Sequence, residues 1–441
     1  MAKYRKYAEY QDSGVEFLPI LPSTWKVGRV KSILDLQRTI VGEKSKNYQL
    51  LSLTLRGVIP RDVSGGDGKI PESFDTYQAV KKENLVFCLF DMDETPRTVG
   101  ISEHDGMITG AYNVYKVNGS SFPKFIYYYF LHLDYFKGLK PFYTGLRKVV
   151  RSDTFANIKM PCPPLAEQTQ IANFLDHETT KIDHLIEKQQ QLIELLKEKR
   201  QAVISHAVTK GLDPNVPMKD SGVEWLGEVP EHWKIIKGGY IGTLFGSESI
   251  QEDDVTDQGS LPFIKVSSLS AETFKLSNID WFVSERRAKF CKAEKNYIVF
   301  PKRGAAIFTN KVNVIEVDSV IDPNLMGWKI GKQGITEYFA LLLKTRGLDD
   351  IADVSTVPQI NNKHIAPEKF PLPSLSEQCE IVKFVGMELT KFDEMILKAE
   401  SAIQLMQERR TALISAAVTG KIDVRNWQAP TFAEAHTELS A

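Results

Sequence analysis

The chain is built twice. Residues 161–213, PCPPLAEQTQIANFLDHETTKIDHLIEKQQQLIELLKEKRQAVISHAVTKGLD, align without a gap on residues 371–423, PLPSLSEQCEIVKFVGMELTKFDEMILKAESAIQLMQERRTALISAAVTGKID, at an offset of 210 with 24 identities in 53 positions. Average composition gives about one match in twenty by chance. A second pair agrees: Gln11–Lys26 and Lys219–Lys234 share 9 of 16 residues at an offset of 208, including Trp25 with Trp233 and Pro22 with Pro230. The duplicated unit is about 210 residues long. It runs from a D-S-G-V-E segment through an unlike insert (27–158, then 235–368) to a helix opening P-x-P-x-L-x-E-Q. A kept frame with unlike inserts suits a molecule that makes two similar contacts with unlike targets. The repeat also implies a circular order, in which the N-terminal segment lies near Asp423, at the end of the second helix.

Both aligned blocks predict long helices. Pro164 and Ser374 stand at the starts, and Ser374 with Glu377 has capping-box spacing. Of glycine and proline, only Gly386 interrupts them before their ends. Apolar residues recur in heptads, with a seam expected along Leu175, Ile182, Leu185, Leu192, Leu196 and Val203 in the first copy. In the second it runs along Val385, Phe392, Met395, Met406 and Leu413, and Ile186, Ile193, Ile396 and Ile403 widen the stripe. About 40 residues make a rod of roughly 60 Å. Neither helix buries its stripe alone, so an antiparallel pair is expected, with an insert at each end about a pseudo-twofold axis. Taken alone, such helices favour a coiled coil that only dimerises or serves as a scaffold or adaptor.

The inserts read as α+β. Tyr48–Leu55, Leu85–Phe90 and Ala111–Val117 have strand character, followed by an apolar helix over Phe125–Phe136. Leu261–Val266, Tyr297–Phe300 and Val312–Val317 repeat the order, followed by a helix over Thr336–Thr345. Two similar mixed domains are therefore expected, separated by the two long helices. The segments are 1–160, 161–213, 214–370, 371–423 and a tail over 424–441 that lacks a counterpart and is expected to be disordered.

The residue types exclude several function classes. No run of 18 apolar residues suggests a membrane span. The four cysteines lie far apart, without metal-ligand spacing. Gly65-Gly66-Asp67-Gly68-Lys69 lacks the spacing of a phosphate-binding P-loop and reads as a turn. No catalytic constellation is visible. Net charge is −1, low for a free-standing nucleic-acid binder and compatible with one that works inside a charged assembly. Basic and amide residues gather in loop positions nonetheless: Arg147, Lys148 and Arg151 before the first long helix, Gln359, Asn361, Asn362 and Lys363 before the second, and Lys302, Arg303, Asn310 and Lys311 between. Arginine pairs with guanine, asparagine and glutamine with adenine, and lysine mostly holds phosphate. Arg151 and Asn361 are equivalent at the offset of 210.

The twice-occurring P-x-P-x-L-x-E-Q helix ending in A-V-T, with D-S-G-V-E-x-L…P-x-x-W-K before each insert, resembles the specificity subunit of type I restriction-modification enzymes. The resemblance runs essentially to Asp423. It implies that the inserts are target recognition domains, each reading half of a split, asymmetric double-stranded DNA sequence, and that the helices set the spacer. It further implies two docked modification (methyltransferase) subunits joined by restriction subunits, in the cytoplasm. S-adenosylmethionine, ATP and magnesium would be bound by those partners, and this chain would be non-catalytic.

Overall fold

A computed structural model describes residues 4–15, 18–61, 73–247, 250–353 and 357–429. The 65–69 turn and residues 430–441 of the tail lie outside the described residues. Four helices organise the chain: α1 (Pro123–Tyr135), α2 (Leu165–Lys210), α3 (Thr336–Arg346) and α4 (Leu375–Val418). The chain divides into two compact units: residues 1–190 with 401–441, and residues 191–400. Each division point falls inside a long helix, so each unit contains half of α2 and half of α4.

Each unit holds a four-stranded antiparallel sheet. In the first, the spatial order is Leu34–Gln37, Asn113–Val117, Leu85–Phe87, Val99–Ile101. In the second it is Gly242–Phe245, Leu325–Ile330, Tyr297–Pro301, Asn313–Ile315. Numbered along the chain, both sheets run first, fourth, second, third. Inserts whose sequences do not align have thus kept one topology. An apolar helix follows in each case, α1 or α3, with most of its residues buried against the unit's core. A closing pair ties the end of each insert to its start: Lys159–Cys162 on Lys26–Arg29, and Lys369–Leu372 on Lys234–Lys237.

The repeated motifs are the joints of this frame. The Asp of D-S-G-V-E accepts a hydrogen bond from the glycine two residues on, Asp12 from Gly14 at 2.8 Å and Asp220 from Gly222 at 2.9 Å. Those glycines have φ of 61° and 64°, a region that L side chains rarely adopt. Trp25 and Trp233, each 1% exposed, donate their indole N–H to the Glu of the E-Q pair: Trp25 to Glu167 at 2.8 Å, Trp233 to Glu377 at 3.1 Å. The Gln of that pair clips the insert to the helix. Gln168 accepts from the Phe122 backbone N–H at the start of α1 (2.9 Å) and donates to the Pro163 carbonyl (2.8 Å). Gln378 does the same with Ile335 (2.8 Å) and Pro373 (3.0 Å) at the start of α3. Ser374 and Glu377 form the expected capping box. The circular order is present in the first unit, where the Asp423 N–H donates to the Arg5 carbonyl at 2.8 Å and the Tyr10 hydroxyl to the Gly420 carbonyl at 3.0 Å.

Within each unit the two helix halves run antiparallel. In the first, Gln170 reaches the carbonyl of Trp427 while Asp183 pairs with Arg410. In the second, Arg200 pairs with Asp393 while Ala207 and Val208 share a core with Ile381 and Val385. Leu175, Ile182, Leu196, Val385, Phe392 and Leu413 are buried, and Val203 and Met406 half-buried. Leu185, Leu192 and Met395 depart from the expected seam, being 38%, 43% and 41% exposed. Ile193 is buried, and Ile186 and Ile396 half-buried, in their stead. The helices offer adjacent apolar pairs at these points (Leu185-Ile186, Leu192-Ile193, Met395-Ile396), so a heptad can be read in two phases. The packed phase steps four, then three, from Ile182 to Ile186 to Gln189 to Ile193. The start of the tail also differs from expectation: Val424 is buried, and the Trp427 ring lies 5.4 Å from that of Phe174.

Candidate nucleic-acid interface

All the candidate residues of the two units but Asn310 and Lys311 sit on the same structural junction. In the first unit, the loop after strand Leu85–Phe87 is hydrogen-bonded to the segment that precedes the short helix Ser152–Asn157. Val150 N–H donates to Leu89 O at 2.9 Å, and Asp91 N–H to Arg147 O at 2.7 Å. In the second, Ile360 N–H donates to Lys302 O at 2.9 Å, and Gly304 N–H to Pro358 O at 2.9 Å, before the short helix Asn362–Ile365. Gly304 adopts φ 80° there. Arg303 and Gln359 are bridged partners. Lys302, Arg303, Gln359 and the 361–363 run are therefore brought together, and so are Arg147, Lys148 and Arg151.

Their side chains are differently engaged. Arg147 forms a side-on fork with Asp91, Nε to Oδ1 at 3.2 Å and Nη2 to Oδ2 at 2.6 Å, and its Cζ lies 5.0 Å from the Phe90 ring centroid. The hydrogen bonds and charge of Arg147 hold the Asp91 carboxyl below its usual range. The Lys148 ammonium sits 2.8 Å from Glu94 and 3.0 Å from Asp93, which lowers both of those carboxyls. Arg151 and Asn361 are both the residue that precedes the short helix, as the repeat offset requires. Asn361 spends its side chain on a capping box with His364, whereas Arg151 caps nothing and is exposed. Asn362, Lys363 and Arg303 are likewise exposed.

Asn310 and Lys311 stand apart from this group. Asn310, at φ 47°, donates from Nδ2 to the Lys344 carbonyl at 2.8 Å and so pins the end of α3. Lys311 Nζ lies 3.5 Å from the Val266 carbonyl. Both are half-buried and work within the fold.

Sequence reasoning missed Asp91 and its acidic neighbours Asp93 and Glu94. The run D-M-D-E is visible, but nothing in it announces a partner 56 residues away. It also passed over Leu146, which is 102% exposed beside Arg147. Among the described residues no group of three His, Cys, Asp or Glu side chains is placed to hold a metal ion, and no helix is long and apolar enough to cross a membrane.

Comparison with known proteins gives these features a context. A family model for the type I restriction modification DNA specificity domain matches residues 104–195 and 230–405. The chain is 22% identical over 294 residues to the type I restriction enzyme MjaVIII specificity subunit of Methanocaldococcus jannaschii, covering 64% of this chain and 66% of that protein. It is 22% identical over 292 residues to the type I restriction enzyme EcoKI specificity subunit of Escherichia coli, covering 64% and 61%. The chain thus spans somewhat under two thirds of the length of these curated relatives. Among solved structures, it is similar in fold to a chain of a type I R-M system studied for complex assembly and conformational transition. The TM-score is 0.65 at 15% identity, covering 90% of this chain and 98% of that one. It is also similar to the HsdS subunit from Thermoanaerobacter tengcongensis, with TM-score 0.53 at 14% identity, covering 91% and 98%.

Proposed function

Since this chain belongs to the type I restriction modification DNA specificity family, we propose that it is the DNA sequence-recognition subunit of a type I restriction-modification complex. Each unit reads one half of a bipartite, asymmetric duplex target. The long helices set the spacer between the halves and dock two methyltransferase subunits, to which restriction subunits are added. The chain catalyses nothing itself. S-adenosylmethionine, ATP and magnesium are bound by its partners, and the complex works in the cytoplasm.

One observation carries this reading beyond family membership: two inserts that do not align share one sheet order on one repeated frame. Selection that holds a scaffold and lets its surface diverge is what two unlike targets produce, whereas a plain scaffold has no need for unlike heads. Side chains for DNA contact are drawn from the shared junction: Arg147 and Arg151 in the first unit, Lys302, Arg303, Asn362 and Lys363 in the second. Exchanging residues 27–158 for another family member's insert tests it. Methylation or binding mapped across a genome should change in one half-site and stay fixed in the other. A change in both halves, or sequence-independent behaviour throughout, refutes modular reading and leaves the scaffold.

A further inference from the structure

The first unit carries a tight hairpin at its candidate interface. Thr144 and Val149 close it through reciprocal backbone hydrogen bonds of 2.9 and 3.0 Å, and Lys148 N–H donates to Gly145 O at 3.1 Å across the four-residue turn. Leu146 and Arg147 are the two central residues of that turn. Gly145 and Lys148 both take positive φ, 69° and 47°, which holds the tip in a narrow conformation. The tip is braced from below, since Val150 and Arg147 are hydrogen-bonded through their backbones to Leu89 and Asp91.

Arg147 is fixed on this support by Asp91 and by the Phe90 ring, itself stacked on Tyr112 at 6.0 Å. The fork to Asp91 uses Nε and one side of Nη2. The outer edge, Nη1 with the other Nη2 hydrogen, is left as a second fork, and the side chain is 68% exposed. Two parallel N–H groups of this kind match O6 and N7 of guanine in the major groove. The ordering cost of the side chain is met before DNA arrives, which favours affinity for one base edge. The charge around the tip argues against a phosphate role. Arg147, Lys148 and Lys140 face Asp91, Asp93 and Glu94, so the cluster is neutral overall. The electrostatic share of phosphate binding grows with the number of unneutralised positive charges, whereas base reading needs an oriented donor pair.

We propose that Arg147 reads a guanine in the half-site of the first unit, with Asp91 as its positioning residue. The proposal rests on the DNA-recognition reading above. At the equivalent place in the second unit, Asp353 and Gln359 exchange reciprocal backbone hydrogen bonds of 2.9 and 3.1 Å, and residues 354–356 lie outside the described residues.

The test is selection from a randomised duplex library by the full-length chain, with whatever subunits co-purify with it, for the natural protein and for Arg147→Lys, Arg147→Gln and Asp91→Asn. The natural protein should select a bipartite motif. Both Arg147 variants should lose preference for guanine at one position of one half by about tenfold or more, with other positions unchanged. Asp91→Asn should weaken that same preference while melting with the natural protein. Two results overturn the assignment: an unaltered motif in both Arg147 variants, or a uniform fall in affinity for all sequences with a shallower salt dependence, the mark of a phosphate contact. A natural protein that selects no motif refutes the DNA-reading function itself, and this assignment with it.

Discussion

The guanidinium of Arg410 grips the carboxylate of Asp183 through Nε at 2.8 Å and Nη2 at 3.2 Å, and the repeat places its counterpart, Arg200 with Asp393, at the same point of the second unit with a single looser contact of 3.4 Å. Both pairs obey the offset of 210, so one ancestral ion pair has survived twice with different quality. Arg410 also donates to the Tyr135 hydroxyl at 2.7 Å, tying α4 to α1. Arg200 instead presses on Lys344, whose ammonium is brought down to about 8 by burial and by this like charge. Arg410→Ala should therefore destabilise the protein by about 1–3 kcal/mol. Arg200→Ala should cost less than about 1 kcal/mol. Chemical denaturation of the two variants side by side checks the order, and equal losses would contradict it.

Acid should weaken the second unit through Glu377. Burial pushes this carboxyl up, but hydrogen bonds from His232, Trp233 and Ser374 outweigh it and hold the group at about 2. A carboxyl lowered on folding stabilises the folded state above its unfolded value of about 4.5, and that stabilisation is lost as pH falls toward 2. Melting temperatures measured from pH 5 to pH 2.5 should show a decline that is shallower in Glu377→Gln. Parallel declines would assign the acid limb to other groups.

Gln168 is 1% exposed and satisfies a backbone donor and a backbone acceptor at once. Gln168→Ala leaves both without their partner and should cost about 2 kcal/mol or more. Gln168→Glu should be worse, because a carboxylate cannot donate to Pro163 and would be buried with its charge. Hydrogen exchange at Phe122 and along the first turns of α1 should accelerate in both. Unchanged protection there would mean the clip is not what holds the helix start.

If the helices set the spacer, lengthening them should lengthen it. Seven residues inserted into both, near 190 and near 400 where the units divide, add about 10 Å of helix, or roughly three base pairs. Library selection with the lengthened protein should return the same two half-sites farther apart. The original spacing would place the ruler elsewhere.

The frame was legible because it is written twice. Trp25 with Trp233 and the E-Q pair stand out by repetition alone, and repetition marks the joints whose geometry both units need. The helix phase was not legible at Leu185-Ile186, because two adjacent apolar residues satisfy either heptad and only packing decides. The short strands Leu34–Gln37 and Val99–Ile101 gave too few residues to show a period of two. The interface was half legible. Arg147 and Arg151 stand out as basic residues before a helix. The hold of Asp91 on Arg147 and the diversion of Asn361 into a cap are long-range or conformational facts that no local pattern carries.

The division of the chain has a bearing on its synthesis. The second unit is one unbroken stretch, 191–400, set into the first, which needs residues from both chain ends. On the ribosome the inserted unit is complete while its host still waits. Until the last fifth of α4 and the residues beyond it emerge, the part of the first core that Leu413, Ile414 and Ala417 cover stays open, an apolar face in a nascent chain already most of the way made. A stop codon near residue 400 would leave the later-coded unit whole and cripple the one translated first.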